Sequence, residues 1–181
     1  MRTHERPAPG TTCAVCGFRF EPVTPTQAVT SLFDLPSAYR AALDVSDDDV
    51  RARRDADGWS AIEYAAHAAE VLHSTRKRLV LVFERDDRPV TPPHLEAVRA
   101  SARTSPPELV LASVSAACHD LARLVGAVPD AAWDRAARRG DEIVTARDLL
   151  TDALHEAHHH ALDARAACRA GSPDAPLLAP A

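Results

Sequence analysis

The sequence is poor in aromatic residues and contains no long apolar run. Phenylalanine, tryptophan and tyrosine make up 4% of its 181 residues, so a close-packed core must be assembled from small and aliphatic side chains on closely approaching helices. No 18 consecutive residues are apolar, so we expect no membrane-spanning helix. The four cysteines are too few to form a disulfide scaffold in a chain of this length.

The sequence also lacks an excess of positive charge. Its formal net charge is −5, which disfavours general affinity for nucleic acid or for an anionic membrane. Residues 1–10 are charged and proline-rich, without the apolar segment of a secretory signal. We therefore expect a cytoplasmic protein that has neither nucleic acid nor a membrane as a partner. The length suffices for one domain with its own core.

Four segments of the chain carry the signals of a helix start. Each has a hydroxyl residue followed three positions later by an acidic or amide residue, which is the pattern of a capping box. The patterns predict helices at about 25–45, 60–85, 106–126 and 145–170. The four pairs are Thr24–Gln27, Ser60–Glu63, Ser105–Glu108 and Thr145–Asp148.

The predicted fold is all-α, a four-helix bundle with long connections and a short irregular N-terminal segment. No segment alternates with period two over a useful length, so we expect no sheet of more than two short strands. Connections of about 15–20 residues indicate links that cross or wrap around the bundle. We divide the chain into an N-terminal segment at 1–22, the bundle at 23–171 and a disordered tail at 172–181.

Three histidines point to a metal site. His155 and His159 lie four residues apart in the fourth predicted helix, where positions i and i+4 share a face with Cβ atoms roughly 5–6 Å apart. His67 lies in the second predicted helix. If the two helices pack side by side, the three imidazoles converge on one ion and leave a position open, as catalytic zinc sites do.

The same residues allow a simpler interpretation. A row of polar side chains on the fourth helix is also what the solvated face of an amphipathic helix looks like. Two features favour a site: histidine is an unusual surface residue, and Asp163 follows His159 at i+4, where a carboxylate can hold the second imidazole nitrogen. The row consists of Asp148, Asp152, His155, His159 and Asp163.

Cys13 and Cys16 form half of a metal site. A Cys-x-x-Cys-Gly turn can direct two sulfurs at one ion, but no second C-x-x-C occurs in the chain. Three interpretations stay open from sequence. The pair binds a metal together with other residues or a partner chain, it forms a disulfide or redox pair, or it has no special role.

Two motifs resemble the DinB-like superfamily, which includes mycothiol-dependent maleylpyruvate isomerase-like proteins. The first is WSAIEYAAH at 59–67, and the second is HEAHHHALD at 155–163, which reads H-E-x-x-H-H-x-x-D. The similarity extends over about residues 20–170. A branch with these motifs also tends to carry C-x-x-C-G-F, matched here at 13–18. The resemblance implies a four-helix bundle in which one histidine of the second helix and an H-x-x-x-H pair of the fourth bind a divalent metal.

The resemblance assigns roles to individual residues. His67, His155 and His159 take the ligand positions, for zinc or else nickel. Glu156, His160 and Asp163 match the branch motif, and we expect them to support the chemistry by orienting ligands or accepting a proton. Arg54 belongs to no motif. It lies in a short basic cluster with Arg51 and Arg53, which favours a solvated surface, although Arg54 could meet the carboxylate of a substrate or cofactor.

The resemblance also implies a reaction class. The best understood relatives transfer a low-molecular-weight thiol, such as mycothiol or bacillithiol, to a small electrophile, and others isomerise maleylpyruvate. We therefore expect a transferase-type enzyme whose metal activates a small thiol. A metal-dependent hydrolase or isomerase on the same site is the first alternative. A non-catalytic, stress-related metal-binding bundle is the second, and a homodimer is an open possibility.

Overall fold

The computed structural model describes residues 8–53, 58–85, 88–90 and 95–170. Six α-helices dominate these residues, and a short 3-10 helix at Asp130–Asp134 follows the fifth. The first three helices are α1 at Pro25–Ala42, α2 at Asp47–Arg51 and α3 at Ala61–Glu84. The last three are α4 at Leu95–Ala102, α5 at Pro107–Ala127 and α6 at Ala146–Ala170.

The four long helices form a bundle, as predicted. Helix α3 packs against α5 and α6, and α1 packs against the same two helices. The order around the bundle is therefore α1, α5, α3, α6, in which α1 lies diagonally across from α3. Because diagonal helices cannot be joined by a tight turn, this order needs the long connections that the sequence contains. It also places α3, which carries His67, directly beside α6, which carries the other histidines.

All four predicted helices are present, and three of their four predicted capping boxes are confirmed. The carboxylate of Glu63 accepts hydrogen bonds from the backbone N–H and the hydroxyl of Ser60, each at 3.0 Å. Thr145 and Asp148 exchange reciprocal hydrogen bonds of 2.9 and 3.1 Å at the start of α6. The remaining confirmed capping box joins Thr24 and Gln27.

The predicted cap at Ser105 was wrong. Helix α5 begins at Pro107, and the residue before it is Pro106. The hydroxyl of Ser105 donates instead to the carbonyl of Ser101 at 2.9 Å, so it completes the end of α4. Because two consecutive prolines already fix the backbone for a helix start, no side-chain cap is required there.

The expectation of at most two strands was also wrong. Strands β1 at Arg88–Pro89, β2 at Ala136–Arg139 and β3 at Glu142–Thr145 form one sheet in that order. Strands β2 and β3 are an antiparallel hairpin, and β1 pairs with β2 in parallel. Strands of two to four residues are too short to show a period-two pattern, and this explains why the sequence did not predict them.

Helix α5 combines sufficient length with enough apolar character to span a membrane, with a mean hydropathy of 1.4 over its most apolar window. In the bundle it packs against α1 and α3, so one of its faces belongs to the core. The core helix of a bundle has the same length and composition. Its buried residues are Val110, Val114, Ala117, Cys118, Leu121, Ala122 and Val125.

Candidate metal-binding sites

Helix α6 presents two rows of side chains whose donor atoms could hold a metal ion. His155 and His159 form one row, and Glu156 and His160 form the next, rotated by roughly 100° around the helix axis. All four side chains are half-buried. The polar row on α6 that runs from Asp148 to Asp163 is half-buried as well. It is therefore not the fully solvated face of an amphipathic helix.

The first donor group, here called the interhelical group, consists of His67, Glu156 and His160. One ligand atom of each lies within 4.8 Å of the others. The Nε2 atom of His67 on α3 is 2.7 Å from Oε1 of Glu156 on α6, and Nε2 of His160 is 3.9 Å from the same oxygen. His67 is only 3% exposed, and its Nδ1 is buried without a hydrogen-bond partner among the described residues.

A carboxylate outside this group orients one of its imidazoles. Oδ2 of Asp163 lies 2.9 Å from Nδ1 of His160, which leaves Nε2 of that ring on the side of Glu156. Metal-binding histidines are usually held in this way through their second nitrogen. The same Asp163 oxygen is 3.5 Å from Nε2 of His159, so this carboxylate lies between the two rows of α6.

Aromatic side chains cover the interhelical group. The ring centroid of Trp59 lies 4.8 Å from that of His67 and 5.8 Å from that of His160. The ring of Tyr64 is 5.2 Å from His160. The guanidinium of Arg99 stacks 4.3 Å above the Trp59 ring, a cation–π contact that holds the indole in place. The group therefore has an aromatic wall on the side of its imidazoles, whereas the side chain of Glu156 is 42% exposed.

Glu156 is ionised at neutral pH. Its burial alone would raise the pKa of the carboxyl, but the hydrogen bond with His67 and the nearby imidazoles outweigh this, and the pKa is lowered overall. An ionised carboxylate beside two imidazoles is a donor set that fits a divalent ion.

The second donor group, here called the cysteine–histidine group, consists of Cys13, Cys16, His155 and His159. Their ligand atoms also lie within 4.8 Å of one another. Sγ of Cys13 is 3.5 Å from Nδ1 of His159, and the two thiols are not bonded to each other. The backbone N–H of Gly17 donates to the carbonyl of Cys13 at 2.9 Å, which closes the turn between the cysteines.

The two cysteines of this group differ in acidity. Hydrogen bonds from the backbone of Cys16 and from the His155 side chain lower the pKa of Cys13 to about 5. Burial raises the pKa of Cys16. Cys13 is therefore a thiolate at neutral pH, the form in which cysteine binds metals.

The structure distributes the predicted ligands over both groups. His67 lies in the interhelical group, whereas His155 and His159 lie in the cysteine–histidine group. A single site formed by these three histidines stays a prediction of the family resemblance, and the contacts favour another partner set for His67. Arg54 lies outside the described residues. Its neighbour Arg53 donates to the buried carboxylate of Glu63.

Sequence reasoning did not join the two cysteines to the histidine pair of α6. Two sulfurs and two imidazoles make the four ligands that a structural zinc ion requires, but the sequence analysis assigned both of these imidazoles to a site with His67. The role of Trp59 beside the imidazoles was missed as well.

A cavity of about 620 Å³ lies between α3, α4 and α5. It is lined mainly by small side chains, together with Glu70, His73 and Asp120. None of its lining residues belongs to either donor group. The cavity and the candidate metal sites are therefore separate features of the bundle.

Residues 34–164, most of the chain, match the DinB superfamily. The chain belongs to this superfamily. Its structure is similar to that of YfiT from Bacillus subtilis, described as "a probable metal-dependent hydrolase with an unusual four-helix bundle topology". The TM-score is 0.73 at 19% sequence identity, covering 80% of this chain and 86% of YfiT. A search of curated proteins found no match.

The comparisons confirm the DinB resemblance and the four-helix bundle that it implied. At 19% identity the likeness to YfiT shows the fold of this DinB-superfamily chain and does not extend to its chemistry. The branch marked by C-x-x-C-G-F, the ligand assignments and the domain boundaries stay predictions.

Proposed function

We propose that this DinB-superfamily chain is a metal-dependent enzyme whose divalent ion is held by His67, Glu156 and His160. The observation that carries the proposal is the convergence of these three donors from two helices within 4.8 Å. The architecture is the one expected from sequence, with one ligand on α3 and an i,i+4 pair on α6. The pair is displaced by one residue, so that Glu156 and His160 replace His155 and His159.

The residues around the group fit such an ion. Two imidazoles and one carboxylate leave a position open, and this donor set is used by hydrolytic zinc enzymes. When bound, the ion would make a coordinated water or thiol a nucleophile at neutral pH. Asp163 fixes the ring of His160 through Nδ1. Trp59 and Tyr64 flank the imidazoles and form one wall of the site.

Hydrolysis is the reaction that the site supports best. The His–His–Glu donor set favours it, and the description of YfiT as a probable metal-dependent hydrolase supports the same class. In this proposal the substrate is a small electrophile, such as an ester or amide, presented to the open position. Water would be the nucleophile, and the carboxylate of Glu156 would lower the net charge of a bound divalent ion from +2 to +1.

Thiol transfer is the second candidate. It rests on the H-E-x-x-H-H-x-x-D motif of α6 and on the family resemblance that this motif carries. The open position would then take the sulfur of mycothiol or another small thiol, and zinc or nickel would be the resident ion. The partners would be this thiol and a small electrophile in the cytoplasm. Isomerisation with the same thiol would use the same site.

Metal analysis of variants tests the site. His160→Ala should lower the affinity of the interhelical group for zinc by at least about 100-fold, since two remaining ligands hold the ion poorly. His119→Ala is the matched control, because His119 is exposed on α5 outside both groups. If His160→Ala retains the metal content and zinc affinity of the control, the assignment is wrong.

Activity assays on the same proteins separate the reaction classes. Saturable, metal-dependent cleavage of an activated aryl ester without added thiol is the result expected for a hydrolase. Saturable conjugation of a model electrophile that requires one particular thiol would instead establish the transferase. A protein that binds the metal at full stoichiometry but catalyses neither reaction would contradict both and favour the non-catalytic alternative.

A further inference from the structure

We propose that Cys13, Cys16, His155 and His159 bind a second ion, zinc, in a closed structural site that fastens the N-terminal segment to α6. This site is distinct from the interhelical group, since the two share no residue. It lies beyond the proposed function, because it would hold its ion whether or not the neighbouring centre is catalytic.

The spacing of the donors matches one tetrahedral ion. With zinc–sulfur bonds of about 2.3 Å and zinc–nitrogen bonds of about 2.0–2.1 Å, a sulfur and a nitrogen ligand lie roughly 3.6 Å apart. Sγ of Cys13 and Nδ1 of His159 are 3.5 Å apart. All four donors lie within 4.8 Å of one another. Nε2 of His155 is buried and has no hydrogen-bond partner in the described part of the chain.

The backbone of the N-terminal segment is shaped for this role. The N–H of Cys13 donates to the carbonyl of Phe18 at 2.8 Å, and Gly17 donates back to Cys13. Gly17 has a φ of 71°, a left-handed conformation that glycine adopts without strain. A bridge between Thr12 and Arg19 closes the loop. These backbone contacts fix a turn in which the two sulfurs lie within 4.8 Å of each other.

Aromatic packing seats this loop on α6. The ring of Phe20 lies 4.4 Å from the ring of His155, and the ring of Phe18 lies 5.4 Å from it. Phe20 is buried, although it stands outside every helix and strand of the bundle. Apolar contacts therefore also hold the loop against the imidazoles of α6. They keep the two cysteines of the loop close to the two histidines of the helix.

The ligand count determines the character of the site. Four protein ligands complete the tetrahedron and leave no position for water or substrate, which is typical of structural zinc. Two thiolates and two imidazoles also select zinc over magnesium, calcium or manganese, which prefer oxygen ligands. The interhelical group differs in both respects, with an open position and a carboxylate.

The structural ion would also position the neighbouring centre. His155 and His159 each precede one member of the other row, Glu156 and His160 respectively. Fixing the first row therefore sets the rotation of α6 about its axis, and with it the direction in which the second row faces His67. The N-terminal segment would thereby hold in place the helix that carries two of the three residues of the interhelical group.

Cobalt substitution and metal counting test the site without relying on activity. The wild-type chain should bind two zinc ions, and its cobalt form should show sulfur-to-cobalt charge-transfer absorption. The double variant Cys13→Ser, Cys16→Ser should bind one ion and lose that absorption. The matched control, Cys118→Ser with Cys168→Ser, changes the other two cysteines of the chain and should keep both ions and the band. His160→Ala should lose one ion but keep the band.

Alkylation of the wild-type chain covers the case in which the double variant fails to fold. Cys13 and Cys16 should be protected from alkylation at neutral pH and become reactive after chelation. A wild-type mass lower by two hydrogens and restored by reductant would overturn the proposal in favour of a disulfide. Alkylation of both thiols that is independent of metal would overturn it as well. Since His160→Ala reports on the interhelical group, failure of this site and failure of the proposed function give different results.

Discussion

His155 and Glu156 are consecutive residues of α6, yet their side chains belong to different donor groups. His155 lies with Cys13 and Cys16 against the N-terminal loop, whereas Glu156 lies 2.7 Å from His67 on α3. One residue along a helix is a rotation of roughly 100°, which is enough to direct neighbouring side chains to different partners. A single stretch of α6 can thus serve two metal centres.

Asp163→Asn should lower the metal affinity of the interhelical group without abolishing metal binding. The carboxylate holds Nδ1 of His160 at 2.9 Å, and loss of such an outer partner lowers metal affinity or activity about 10–100-fold. Competition titration with a chromophoric chelator measures the change. Asp120→Asn, an exposed aspartate of α5 in neither group, should leave the affinity as it is. An unchanged affinity in Asp163→Asn would contradict the positioning role.

Tyr39→Phe should lower stability while leaving the metal content intact. The buried hydroxyl of Tyr39 on α1 donates to the carbonyl of Ala157 on α6 at 2.7 Å. Removing one such hydrogen bond costs about 1 kcal/mol of unfolding free energy, which urea denaturation can resolve. Metal stoichiometry should stay at the wild-type value, because the hydroxyl bonds to a backbone carbonyl and not to a donor side chain. Loss of metal would show instead that this hydrogen bond sets the position of α6.

Glu63 should make the fold sensitive to acid. Burial by itself would raise its pKa, but hydrogen bonds from Arg53, the Ser60 backbone and Arg103 outweigh this and lower the pKa to about 2. A carboxyl whose pKa is lower in the folded state contributes stability above its unfolded value, near 4.5, and loses that contribution as the pH falls towards 2.

Comparison with Glu63→Gln isolates this contribution. Breaking a buried ion pair on one side costs roughly 3–5 kcal/mol, so the variant should be less stable than the wild type at pH 7. The difference should shrink as the pH falls below about 4.5, because the protonated wild-type side chain then resembles glutamine. Glu96→Gln, at an exposed position that pairs with Arg99, should cost less than 1 kcal/mol at any pH. A pH-independent difference would refute the assignment.

Local signals predicted the bundle well. The helix starts at Thr24, Ser60 and Thr145 depend on side chains three residues apart, so they can be read without knowledge of the fold. Ser105 carried the same pattern but completes α4 instead, because prolines already begin α5. The short strands of the β2–β3 hairpin and the brief helices α2 and α4 lie in connections where few residues carry any periodic signal.

The sequence singled out the residues that form the two donor groups, but it did not indicate how they are grouped. The H-x-x-x-H spacing of His155 and His159 and the spacing of Glu156 and His160 are equivalent along a helix. Which pair faces His67 depends on the rotation of α6 in the bundle, and that is set by tertiary packing. The same holds for Cys13, since nothing near it in sequence indicates contact with a histidine 146 residues away.

Gly17→Ala should weaken the cysteine–histidine centre through the backbone alone. Gly17 has a φ of 71°, and an added Cβ would meet nothing within 4 Å, so the cost is conformational, roughly 1–2 kcal/mol for an L-residue. This cost makes the turn less populated in the metal-free chain. The zinc affinity of the cysteine–histidine group should therefore fall about tenfold, because 1.4 kcal/mol corresponds to a factor of ten.

Gly126→Ala is the matched control for that change. Gly126 is a helical residue of α5 with equally open surroundings, and alanine there should stabilise the chain by up to about 1 kcal/mol. The two variants add the same methyl group to the protein. The midpoint temperature of thermal unfolding should therefore fall in Gly17→Ala and rise in Gly126→Ala. At limiting metal, only Gly17→Ala should lower the intensity of the sulfur-to-cobalt band. Equal metal affinity in the two variants would mean that the turn at Gly17 does not present the sulfurs to an ion.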